Sequence, residues 1–330
     1  MFQVNPNLLW KSGVASTCLM NLSASTVQSV PRGVGEVLDY IGYEKFELEE
    51  LLKEFTEDRQ VVSSYFNYLK ERNLIIELKP FIELKELVRK PLELSFISTV
   101  WIDWTKDIVP ERMKLLLFLR EKYSSYNIII KTDKLNLVVL ENALKRLRAQ
   151  GWHNVALFCP GMVLKSNIEK ALSIPFDYFL SDDKSVVDSN VDERVIYYSR
   201  KSKNIEGTKD LFCSLRDIRR ISGGQENSDS LYLTQEQKLY FHPFDTHYLI
   251  GHVTDVKSLK TLLEGERYSE YATWSKDKVE KCSNCEFSLA CANPRWFRKK
   301  MDDLSSEPEN CLYDPKLSVW QVRSLETAYE

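Results

Sequence analysis

The 330-residue sequence has no long apolar run. Nothing in it approaches the ~20 residues that span a bilayer as a helix. A basic excess is missing too: 45 Lys and Arg stand against 48 Asp and Glu, a formal net charge of −3. A chain so balanced lacks the electrostatic footprint of a nucleic-acid or membrane-surface binder, and neither partner is expected. The opening residues MFQVNPNLLWKSGVAS show no basic segment followed by an apolar one. No secretory signal is therefore expected, and the predicted setting is a reducing cytoplasm. No glycine-rich phosphate loop occurs, no C-x3-C-x2-C run, and no readable Ser/His/Asp set. What is present is a globular balance, 43% hydrophobic and 28% charged. That excludes a mostly disordered chain and leaves length for two or three domains.

The first 80 residues read as a small unit. VGEVLDYI (34–41), FELEELLKEF (46–55) and RQVVSSYFNYLKERN (59–73) carry apolar residues at helical spacing, with Asp58 placed to cap the third. The apolar run LIIEL (74–78) follows as a strand. Helices leading into a strand in this way resemble a winged helix-turn-helix. The third helix carries only Lys70 and Arg72 near its end, so a peptide or partner protein suits it better than DNA. Residues 93–200 alternate apolar runs with amphipathic segments: ELSFISTVW, NIIIK, NVALF, DYFLS and RVIYYS, with helices between. This α/β pattern predicts a parallel sheet of four or five units, fewer than a full eight-stranded barrel and thus a truncated (β/α) partial barrel. Asp103 and Asp133 fall at strand ends, where they read as solvated loop carboxylates. The polar stretches at 199–210 and 221–230 predict a loop-rich boundary, and LYLTQEQKLYFHPFD a hairpin turning at TQEQ.

Seven cysteines are present, and four crowd the last 50 residues: Cys282, Cys285, Cys291 and Cys311, spaced C-x2-C-x5-C-x19-C. Two cysteines two residues apart can reach one metal from a single turn, and two more close the shell. Four thiolates suit tetrahedral zinc or an iron–sulfur cluster. Cys18, Cys159 and Cys213 lie in apolar surroundings and read as buried thiols. His242, His247 and His252 are spaced by five and five and read as ordinary hydrogen-bonded or surface histidines rather than a second metal site.

IGHVTD, then LKTLLEGERY, then KDKVEKCSNCEFSLAC and a late cysteine before Asp-Pro resemble the SPASM domain of radical SAM peptide maturases. The likeness is to the maturases of grasp-with-spasm systems and to pseudo-radical-SAM proteins. Asp277, Lys278, Val279, Cys282, Cys285, Glu286, Phe287 and Cys291 match a run frequent there. The resemblance covers about residues 250–315 and implies one 4Fe-4S cluster on Cys282, Cys285, Cys291 and Cys311, with zinc as the alternative. Arg295 and His242-Pro243 stand where relatives have cysteines of a second cluster. Without C-x3-C-x2-C the family's radical chemistry is expected to be lost, leaving no catalytic residue to name. The implied organisation is a winged-helix-like peptide- or partner-binding unit (1–82), a partial βα barrel (83–225) and a SPASM-like domain (226–330). The implied role is accessory: maturation of a ribosomally made, post-translationally modified peptide, with a precursor (leader) peptide and an ATP-grasp ligase as partners. Two further readings stand beside it: a redox or peptide-modifying enzyme using the C-terminal cluster, and a zinc-stapled interaction protein.

Overall fold

The computed structural model describes residues 1–78, 97–104, 110–123, 125–189, 192–198, 230–291, 298–309 and 311–321. Two compact units divide them, one with 1–78 and 275–321, the other with the described residues of 97–198 and 230–274. The boundaries predicted at 82/83 and 225/226, the loop-rich stretch 199–210, Cys213 and Arg295 lie outside the described residues, as does 221–229. Residues 230–274, expected beside the C-terminal cysteines, group with the middle sheet.

The first unit begins with β1 (Phe2–Val4) and an antiparallel meander of β2 (Leu8–Ser12), β3 (Ser16–Asn21) and β4 (Thr26–Pro31). Three helices follow: α1 (Arg32–Ile41), α2 (Leu48–Glu54) and α3 (Arg59–Glu71). They fall where the apolar spacing predicts them, and Val62, Phe66 and Leu69 of α3 are buried. Asp58 stands at the cap position of α3 but makes no side-chain capping bond. LIIEL supplies β5 (Ile75–Glu77), which pairs antiparallel with β1.

The four strands before α1 escape sequence reading because β3 does not alternate: five of its six residues are buried. It is covered on both faces. Leu8 and Leu19 join the helical core with Val34, Leu38, Phe66 and Leu69. Leu9, Cys18 and Met20 point the other way, onto Phe287, Ala290 and Tyr313. A strand covered on both faces loses the polar–apolar alternation, and in β3 the polar Ser16 and Thr17 are buried beside Cys18, Leu19 and Met20.

The second unit is mixed α/β. Its parallel strands are β6 (Thr99–Asp103), β7 (Asn127–Lys131), β8 (Asn154–Cys159), β9 (Tyr178–Ser181) and β10 (Val195–Tyr197). The last four fall on predicted apolar runs. β6 overlaps ELSFISTVW only at residues 99–101 and runs two residues past it, and 93–96 lie outside the described residues. The segments between them include α4 (Pro110–Tyr123), α5 (Leu137–Ala149), α6 (Gly161–Leu172) and α7 (Lys184–Asp188). Asn136 caps α5 by accepting from the Val139 amide at 3.3 Å. Gly151 ends the segment at φ +81°, left-handed backbone that glycine adopts at little cost. The predicted hairpin forms β11 (Ser230–Leu233) and β12 (Lys238–Tyr240). β11 also pairs parallel with β6, and β13 (Gly251–His252) follows β12, giving eight strands ordered β10-β9-β8-β7-β6-β11-β12-β13. Two helices complete this unit, α8 (Val256–Leu263), with a capping box of Asp255 and Ser258, and α9 (Glu266–Ala272). No helix among the described residues is long and apolar enough to cross a membrane.

The chain returns to the first unit with α10 (Glu280–Ser283), a 3₁₀ turn over Glu286–Leu289, and the short pair β14 (Tyr313–Asp314) and β15 (Val319–Trp320). Gly13 marks how tightly this segment lies on the β2–β3 turn. The Val14 amide donates to the Asn284 carbonyl at 3.3 Å. A Cβ at Gly13 would stand 2.7 Å from Glu286 Oε2, 2.8 Å from the Glu286 amide nitrogen and 3.0 Å from the Asn284 oxygen. Gly13→Ala should destabilise this unit by about 1–3 kcal/mol, because backbone rather than a side-chain tip must shift. Chemical denaturation followed by circular dichroism reads it.

Candidate metal centre

Each of the four predicted cysteines arrives from a different local element. Cys282 lies within α10 and is buried. Cys285 precedes the 3₁₀ turn, its amide donating to the Cys282 carbonyl at 3.1 Å. Cys291 lies two residues beyond that turn. Cys311 lies two residues before β14, its Sγ 3.9 Å from the Tyr313 carbonyl oxygen. All four line one small cavity. Lys276, Lys281, Ser288, Pro308, Tyr313 and Pro315 complete its lining, so no carboxylate competes with sulfur there. As they stand, no three His, Cys, Asp or Glu side chains among the described residues form a set that would hold a single metal ion.

The surroundings govern the thiols. Burial first, then the charges of Glu286, Cys291 and Cys282, push the Cys285 thiol well above its ordinary range. A cation bound among these sulfurs would reverse that balance, since a coordinating thiol is deprotonated outright. Lys276 Nζ donates to the Cys291 carbonyl at 2.6 Å and Lys281 Nζ to the Cys311 carbonyl at 3.2 Å. The Ser288 hydroxyl is buried and has no hydrogen-bond partner among the described residues. Four thiols, two ammonium groups and one unpartnered hydroxyl are a donor set that fits an anionic thiolate-held centre.

Behind the cavity, Cys285 and Cys311 pack into the apolar cluster that joins Leu9, Cys18 and Met20 to Phe287 and Tyr313. Glu286 anchors the same junction. Its side chain is fully buried, and Oε1 accepts from the hydroxyls of Ser16 and Tyr313 and, at 3.3 Å, of Ser318. Burial and the Glu286 hydrogen bond hold the Tyr313 phenol protonated far above neutrality. Glu286 was legible only as a motif match. The burial of Lys276 and the reach of Lys281 were not legible, because KDKVEK offers three lysines and the sequence does not say which one turns inward.

The second unit holds no cysteine group. Its register places Trp101, Ile129, Ala156, Phe158, Leu180 and Tyr232 on one sheet face. That face is filled by aromatics: Trp101 lies 5.7 Å from Phe158, 5.5 Å from Tyr198, 5.7 Å from His242 and 6.3 Å from Phe244, centroid to centroid. His242 is the buried histidine of the three. Its Nδ1 accepts from the Phe244 amide at 3.3 Å, so Nε2 carries the proton and faces Tyr198 Oη at 3.1 Å. His247 and His252 are exposed, and the three form no metal group.

Asp133 is exposed as predicted, but Asp103 is not a solvated loop carboxylate. It ends β6 half-buried and accepts from Tyr232 Oη at 2.8 and 2.7 Å, with Lys131 Nζ 3.5 Å away. Pairing across adjacent parallel strands creates this cluster, which no local spacing could show. Cys159, at the end of β8, is pushed up to about 12 by burial and secondarily by Asp133. It should resist alkylation in the native protein at pH 8, as mass spectrometry would show. Its folded pKa lies above the unfolded one of about 8.5. Stability from this group is therefore complete below about pH 8.5 and is lost as pH rises toward 12.

No family model matches the chain, and no curated protein matches it. Among solved structures it is similar to Streptococcus suis SuiB bound to S-adenosylmethionine, with a TM-score of 0.38, 8% identity, and coverage of 89% of this chain and 95% of that one. It is also similar to Streptococcus suis SuiB bound to the precursor peptide SuiA, with a TM-score of 0.36, 8% identity and the same coverage.

Proposed function

We propose that this protein is an accessory maturation factor for a ribosomally made peptide, built around one thiolate-held 4Fe-4S cluster on Cys282, Cys285, Cys291 and Cys311. The observation that carries the site is the single cavity lined by all four cysteines and by no carboxylate. The peptide class rests on the SPASM-like run around those cysteines. Bound there, the cluster supplies a cross-link between stretches 29 residues apart, from Cys282 to Cys311, in a segment with little core of its own. Zinc would need its four sulfurs about 3.8 Å apart, given Zn–S bonds of about 2.3 Å. A 4Fe-4S cluster would take the same four thiolates, and it is the occupant that the SPASM-like run implies.

The winged-helix-like unit would take the leader peptide by strand addition. Among the described residues β5 pairs with β1 alone and β4 with β3 alone, so each has an edge to which a strand could add. In the second unit, read as a partial barrel, aromatic side chains line one sheet face. The accessory role over radical catalysis rests on the missing C-x3-C-x2-C run, with bond formation left to an ATP-grasp partner. Protein purified without oxygen should contain about four irons and matching sulfide. It should yield no 5′-deoxyadenosine when incubated with S-adenosylmethionine and dithionite. One zinc without sulfide would replace this reading with the stapled interaction protein, and deoxyadenosine would replace it with an enzyme.

A further inference from the structure

Four thiolates around a doubly positive ion or core leave the centre with a net charge of about −2. A charge of that size in a partly buried site calls for an offset. The cavity holds two cations. Lys276 is only 5% exposed, and its ammonium is fixed on the carbonyl of Cys291. The ammonium of Lys281 is fixed on the carbonyl of Cys311. Both line the cavity with the four sulfurs.

We propose that Lys276 and Lys281 are positioning and countercharge residues of the four-cysteine centre. Each steadies the backbone of one ligand through its carbonyl while its charge offsets the thiolates. The inference deepens the cluster reading and rests on it. The two lysines are not equivalent. Lys281 also lines an outer polar cleft with Glu280, Glu307 and Asp314, so acids and solvent share its charge. Lys276 is enclosed, and its field is screened less.

The test uses the full chain, loaded without oxygen, as wild type and as Lys276→Gln, Lys276→Arg and Lys281→Gln. Glutamine keeps a hydrogen-bond donor and removes the charge. Metal content is measured first, then the rate of release to EDTA, with circular dichroism to confirm folding. Lys276→Gln should release metal about tenfold faster than wild type. Lys276→Arg should stay near the wild-type rate. Lys281→Gln should show a smaller effect, and it carries the test if Lys276→Gln does not fold. In iron-loaded protein the midpoint potential should also fall in each folded glutamine variant, a change that a merely structural role would not produce. Loaded, folded glutamine variants with wild-type release and potential would overturn the lysine roles and leave the centre standing. A folded wild type that binds neither iron nor zinc would overturn both.

Discussion

On the cluster reading, changing Cys285 to Ala should empty the proposed centre and cost the unit that contains it about 3 kcal/mol or more. The physical basis is linkage: a thiolate-held metal binds only the folded arrangement, so its binding free energy is folding free energy. Cys285 also packs into the cluster of Leu9, Cys18, Met20, Phe287 and Tyr313. Losing the centre therefore loosens the cover of one face of β3. For a unit of this size the melting midpoint should drop by about 6–12 °C. Solubility should fall as well, because that face of β3 becomes accessible. Differential scanning calorimetry beside iron and sulfide analysis checks the prediction. A soluble variant that melts with the wild type would remove the structural role of the site.

Trp101→Ala should produce a loss of similar size in the other unit and leave the metal content unchanged. Trp101 is 2% exposed and touches four aromatic rings across one sheet face. Truncating a buried tryptophan costs about 3–5 kcal/mol from lost transfer energy and the cavity left behind. The two variants should therefore act on different parts of the melting profile. Cys285→Ala lowers the transition of the unit with residues 1–78 and 275–321, and Trp101→Ala that of the unit with the parallel sheet. Iron bound to the Trp101→Ala protein at the wild-type ratio separates the two effects. Loss of iron in that variant would tie the centre to the sheet and contradict the independence expected here.

Local patterns determined a good deal of this protein. Helical spacing at Val62, Phe66 and Leu69 placed α3, Gly151 stopped α5, and the apolar runs from ELSFISTVW to RVIYYS located the parallel strands to within a few residues. The spacing of Cys282, Cys285, Cys291 and Cys311 singled out four residues that do line one cavity. Such features are local, set by periodicity, backbone freedom or short chain distance, so the order of residues is enough to show them. The tertiary structure decided what depends on pairing between distant segments. β11 lies beside β6, Tyr232 meets Asp103, and Glu286 gathers the hydroxyls of Ser16 and Tyr313. The burial of β3 on both faces and the inward turn of Lys276 are of the same kind. In each case the environment is made by residues tens to hundreds of positions away, and a side chain's partners are fixed only when the fold brings those residues to it.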